Sequence, residues 1–158
     1  IDSPNAHLSP RETTWREPMS ALRCGVAQRE FTPPVGIMSG IWGAAKKFRS
    51  ESIHIGLFLT AVAREDKSGA KSFIVGIDLC VLGCVECAHD LLDRIAAGVG
   101  VDRDKILFAS SHTHAVPLPC IHRSTKEGSE LIPAFRENII TKSIEACKEA
   151  ASNDEQRT

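Results

Sequence analysis

The sequence predicts an α/β domain with a mixed sheet in the order β-β-β-α-β-α, a hairpin followed by a right-handed βαβ unit. Three observations lead there. Two apolar stretches flank a turn-forming run, Glu65-Asp66-Lys67-Ser68-Gly69. A helical repeat then sits between two short apolar runs, and a second helical repeat closes the chain. With 158 residues, 42% of them hydrophobic, a single domain has material for a core without disulfide staples.

Residues 1–20 hold three prolines and no apolar period, and read as an irregular leader. The single α/β domain spans 21–153, and 154–158 read as a tail. In the first strand Leu22, Cys24 and Val26 alternate with more polar neighbours, and the strand ends near Phe31 because Pro33 and Pro34 lack the N–H that a ladder needs. A loop containing Gly36, Gly40, Met38 and Trp42 follows. From Ile53 to Ala63 every odd position is apolar, which predicts one long strand. Phe73–Leu79 is apolar on both faces and belongs at the centre of the sheet.

Cys84, Ala88, Leu91, Leu92 and Ile95 recur at helical spacing, and Gly98 and Gly100 supply the stop. Ile106–Ala109 reads as a buried strand parallel to the one before the helix. The last helix runs from about Ile132 to Ala151, with Phe135, Ile139, Ala146 and Ala150 near one face and Pro133 in its first turn. A sheet of about four strands leaves edges and apolar surface uncovered, which call for another part of the parent protein or a second copy.

Nineteen basic against twenty acidic side chains give a net charge of −1, leaving no positive field for nucleic acid. Arg64, Asp78 and Arg94 interrupt every candidate transmembrane run. The first residue is Ile1, as expected of a chain that starts inside a longer or processed product. Phosphate-cradling, dinucleotide and nucleophile-elbow motifs are missing. Cys84 and Cys87 form a lone CxxC without a second pair, and Cys80, Cys84 and Cys87 read as small apolar residues at a strand end and on the next helix.

Ligands in open α/β sheets bind beyond the carboxyl ends of parallel strands. One such end is Asp78 and the other is His112-Thr113-His114, so the topology brings a carboxylate and two imidazoles to one rim. A spacing of two in extended chain sets both histidines on one side, which suits a shared metal or a metal with a neighbouring acid or base. Spacing alone fits equally a pair of hydrogen-bonded groups at a strand end. Asp78 reads either as a support behind the site, or as a cap for the Cys84 helix region or an acceptor for the neighbouring loop. Ser110 and Ser111 beside His112 point to opposite faces, and nothing supports Cys120 with His122 as a thiol catalyst.

The run Cys24-Gly25-Val26-Ala27-Gln28-Arg29-Glu30-Phe31-Thr32-Pro33-Pro34-Val35-Gly36-Ile37-Met38-Ser39-Gly40 resembles the opening of the neutral/alkaline non-lysosomal ceramidase family, where a Gly-x-Ala strand leads into Asp-Ile-Thr-Pro-Pro-x-Gly. Ile53–Arg64, Phe73–Leu82, Ile106–Pro117 and Ile132–Asn153 resemble that family's next landmarks in the same order. The similarity spans roughly residues 22–153. Glu30 stands where the family has Asp, and Ala115-Val116 where it has Ser-Gly.

The resemblance implies an exported, zinc-dependent amidase that cleaves the N-acyl bond of ceramide-like or other N-acyl substrates with a metal-activated water. By it His112 is the zinc ligand and His114 the catalytic residue that binds or polarises the substrate. The family's other ligands, a histidine, a glutamate and a tyrosine, lie downstream of anything here. The chain then corresponds to the N-terminal portion of a longer enzyme or to a shortened relative, with Zn2+ expected in the complete enzyme and weak or absent in this chain. The alternative is a non-catalytic remnant of the fold that serves assembly or ligand binding. A third possibility is a different metallohydrolase that uses the His pair with Asp78.

Overall fold

The computed structural model of the chain describes residues 22–40, 43–120, 125–153 and, as backbone, 155–157. The expected leader lies outside these residues, as do Trp42 and His122. Strands β1 (Leu22–Glu30), β2 (Phe58–Glu65) and β3 (Lys71–Ile77) precede helix α1 (Val85–Val99), strand β4 (Ile106–Ser110) and helix α2 (Ile132–Ser152). Glu155–Arg157, read from the sequence as tail, forms β5 and pairs antiparallel with the outer edge of β1.

The sheet order is β4-β3-β2-β1-β5. β1, β2 and β3 are antiparallel neighbours, while β3 and β4 are parallel and joined through α1. This is the expected mixed sheet with a hairpin leading into a βαβ unit. In the hairpin turn Asp66 Oδ1 accepts hydrogen bonds from the Ser68 and Ala70 N–H groups and the Ser68 hydroxyl, which hold its carboxyl below the usual range. Gly69 turns the chain at φ 82.

The long strand expected from Ile53 begins five residues later, at Phe58. Alternation continues through Ile53 and Ile55, yet these two side chains are 52% and 73% exposed. The reason is the missing partner. Phe31 N–H donates to Leu57 O, and beyond it the Thr32 hydroxyl accepts the Leu57 N–H, after which Pro33 and Pro34 have no donors to offer. Ile53–Gly56 therefore has no ladder to join.

Register explains how the core is divided. Gly25, Ala63, Phe73 and Ile106 form one cross-strand row on the inner face, and Ala27, Ala61, Val75 and Phe108 the next. The small residues lie on β1 and β2, where α2 packs. The facing part of α2 is small as well, with Ser143, Ala146, Cys147 and Ala150 buried. Burial pushes the Cys147 thiol up to about 12. Larger side chains fill the space below α1, where Leu91 and Ile95 are buried with Phe73, Val75 and Ile77. Phe31 stacks on Phe135 at 6.0 Å between ring centroids and closes the core beyond β1.

The outer face of the sheet carries Val26, Val62, Ile74 and Leu107 in a single cross-strand row. Val26 and Leu107 are 55% and 61% exposed. The described helices cover one face only. Among the described residues, no helix is long and apolar enough to cross a membrane.

The seam between β1 and α2 has no spare space at Gly25, where a Cβ would stand 2.0 Å from the Ala150 carbonyl oxygen. Gly25→Ala is expected to destabilise the chain by about 1–3 kcal/mol through overpacking. Gly76→Ala, whose Cβ would meet nothing within 4 Å, is expected to be neutral or stabilising by up to about 1 kcal/mol. Urea unfolding followed by circular dichroism checks both, and equal midpoints for the two variants would refute the tight seam.

Candidate metal centre

The candidate site grows out of the β3–β4 pair. Parallel pairing ends at Ile77 opposite Ser110, but the two chains stay joined beyond it. Ser111 N–H donates to Ile77 O at 3.0 Å, and His112 N–H to Leu79 O at 2.9 Å. The Ser110 hydroxyl donates to Cys80 O at 3.1 Å, so it is engaged in joining the loops rather than placed as a nucleophile.

His112 and His114 do converge, with ring centroids 5.1 Å apart and planes at 67°. The cause differs from the one expected. Strand β4 stops at Ser110, so the alternation of an extended chain does not align the two rings. His112 instead adopts φ 61, the left-handed conformation, alone among the described non-glycine residues. Such a conformation costs a side-chain-bearing residue about 1–2 kcal/mol. It folds the chain back so that His114 meets the ring of His112.

Cys80 completes the group. Its sulfur lies 3.9 Å from His112 Nε2, and the ligand atoms of Cys80, His112 and His114 all fall within 4.8 Å of one another. The thiol is buried while both imidazoles are exposed, so a bound ion would be gripped from the protein side and open toward solvent. Two imidazoles and a thiol are a zinc-class donor set. Sequence reasoning placed Cys80 with the apolar residues. What brings it in is the loop pairing beyond the strands: the His112 N–H to Leu79 O bond sets His112 beside Cys80, the residue after Leu79, a contact no local pattern records.

Asp78 stands at the same rim and is turned to another task. Its Oδ2 accepts the Phe58 N–H at 3.0 Å, and its own N–H donates to Phe58 O at 3.1 Å, so it ties the end of β3 to the start of β2. It is not among the ligand atoms gathered at Cys80.

Next to His114 in the chain, Ala115 forms part of the wall of a cavity of about 250 Å3. The cavity is bounded on its other sides by Thr32, Pro33, His54, Ile55 and Pro117. The Thr-Pro-Pro loop and the His-Thr-His segment, far apart in sequence, thus share one hollow. His54, assigned by the sequence to a strand, belongs to this wall because the strand begins after it. A second group of potential ligands, Cys84, Cys87 and Cys120, lies at the start of α1 and in the segment after His114.

If the left-handed turn at His112 is strained, His112→Gly is expected to be more stable than His112→Ala by about 1 kcal/mol, since glycine alone adopts that conformation freely. Chemical denaturation of the two variants checks this, and a more stable alanine variant would show that the turn carries no strain.

No known family's sequence profile matches the chain, and no curated protein does. Solved structures match it in fold. Neutral ceramidase from Pseudomonas aeruginosa superimposes with a TM-score of 0.67 at 15% identity, over 87% of this chain and 22% of that one. A ceramidase complexed with C2 does so with a TM-score of 0.68 at 16% identity, over the same shares. The chain therefore spans about a fifth of the length of these structures, and across most of its own length it has the fold of that part of neutral ceramidase.

Proposed function

We propose that the chain is the N-terminal portion of a zinc-dependent amide hydrolase resembling neutral ceramidase, which cleaves an N-acyl bond. The observation that carries this reading is the meeting of His112 and His114 at the carboxyl end of the parallel pair, within a ceramidase-like fold. The donor set fits the ion: His112 would hold it, with the Cys80 thiol 3.9 Å from Nε2. When bound, zinc polarises the scissile carbonyl and brings the pKa of water down to about 7.

This chain's own residues do the rest. The His112 N–H bond to Leu79 O fixes where the imidazole projects. His114, exposed and edge-on to His112, is the catalytic residue that binds the substrate carbonyl and holds a proton at a ring nitrogen. Asp78 supports the rim from behind by pinning Phe58. The hollow beside Ala115, with Pro33 and Ile55 in its walls, gives the apolar part of an N-acyl substrate a place away from water. The rest of the parent protein would supply the remaining ligands and cover the apolar row on the outer sheet face.

A catalytic zinc normally needs three well-supported protein ligands. With His114 given to the substrate, His112 and Cys80 leave the set short of three, so the chain alone is expected to bind zinc weakly there and to leave a fluorogenic N-acyl sphingosine intact. The parent, with a further His, Glu and Tyr, is expected to turn it over, and His114→Ala to lower its kcat by about 10²–10⁴-fold. Turnover by the chain alone would refute the division of the site, and an inactive parent would favour the non-catalytic remnant.

Uncovered, the outer row is expected to make the chain self-associate in light scattering, and Ile74→Lys with Leu107→Lys to restore a monomer. A monomeric unmodified chain would refute the need for a covering partner.

A further inference from the structure

Cys84 and Cys87 at the start of α1 and Cys120 from a later loop reach one point. Cys84 is the N-cap of α1, and its sulfur accepts the Cys87 N–H at 3.4 Å. Cys120 arrives from the segment that follows His114. Its sulfur lies 3.2 Å from that of Cys87 and 3.6 Å from that of Cys84, and all three fall within 4.8 Å of one another. A tetrahedral zinc with Zn–S bonds of about 2.3 Å separates its sulfurs by about 3.8 Å, a value inside the span of this triangle.

The backbone is shaped for this approach. Gly83 adopts φ +96, and a Cβ on it would stand 2.6 Å from Cys120 Cβ, so only glycine lets Cys120 come so near the start of the helix. The charge is provided for as well. Three thiolates and one divalent ion carry one net negative charge, which the N-terminus of α1 favours. Arg136, only 8% exposed and paired with Asp90, donates from Nη2 to Cys87 O at 3.1 Å and fixes the back of the same turn, so the favourable field comes from the helix N-terminus. Cys87 and Cys120 are buried and Cys84 is half-buried, so the open side of the triangle is the Cys84 side.

We propose that Cys84, Cys87 and Cys120 are three thiolate ligands of a zinc-class divalent ion, a structural site separate from His112 that staples the β3–α1 loop to the segment following His114. Loading breaks three S–H bonds, forms three S–metal bonds and releases three protons to solvent, with no change of oxidation state. The site stands whether or not the chain belongs to an amide hydrolase. It holds its ion more tightly than the site at His112, because its donors are three thiolates, two of them buried, where the other has one thiol and two exposed imidazoles.

The test is titration of the reduced, metal-free chain with Co2+ and then Zn2+. One equivalent of Co2+ is expected to give a strong near-ultraviolet thiolate-to-cobalt charge-transfer band, displaced by one equivalent of Zn2+. The band is expected to persist in a Cys80→Ala, His112→Ala double variant. It should weaken, with at least a tenfold loss of affinity, in Cys84→Ser. Serine still caps the helix, so this variant keeps the fold where Cys87→Ser, at a buried position, risks losing it. Zinc should also raise the melting temperature of the unmodified chain more than that of Cys84→Ser. A missing charge-transfer band, a band lost with His112 and kept without Cys84, or a Cys87–Cys120 disulfide whose reduction restores no metal binding would each overturn the proposal.

Discussion

The parallel pairing of β3 with β4 is the constraint on which the rest of the site depends. A parallel neighbour cannot be reached by a tight turn, so α1 must cross between them, and both strands then end at the same rim. The pairing does not stop where the strands do. The bonds from Ser111 to Ile77, from His112 to Leu79 and from Ser110 to Cys80 carry it into the loops. The Cys80 and His112 neighbourhood follows from that continuation. So does the second convergence, since Cys84 and Cys120 lie farther along the same two chain segments.

The two helices divide the inner face by volume. Glycine and alanine on β1 and β2 admit the backbone of α2, whereas Phe73, Val75 and Ile77 on β3 keep α1 at a distance that its own Leu91 and Ile95 fill. Arg94 in α1 pairs with Glu137 in α2 at the exposed edge of the helix contact, and the pair holds the Glu137 carboxyl below its usual range. Exposed pairs of this kind contribute little. Burial of the apolar face fixes the helix positions and the ion pair follows.

Much of this was legible in the sequence because each element answers to one local rule. The turn at Asp66–Gly69, the helical spacing of Leu91 and Ile95 and the position of Pro133 each specify local structure without reference to distant residues. Ile53–Leu57 shows where such rules end. Its alternation is real, but a strand is a pair, and the prolines after Thr32 remove the partner. Glu155–Arg157 shows the converse: polar residues with no pattern become a strand because β1 has an edge to offer. At the candidate site the His pair was visible as a motif, and its geometry was not. The left-handed turn at His112 and the arrival of Cys120 beside Cys87 depend on contacts between distant segments, which composition and spacing do not record.

The first strand is completed by the last helix. Arg29 in β1 pairs with Glu149 in α2 across a separation of 120 residues, and the small side chains of β1 have α2 as their cover. At a synthesis rate of about 5–20 residues per second, about 6–24 seconds pass between making one partner and the other. Through that interval β1 and β2 present an uncovered inner face to the crowded surroundings of the ribosome, along with the apolar row on their outer face. The chain therefore begins as a bare sheet, and the close seam at Gly25 has to wait until α2 has been made.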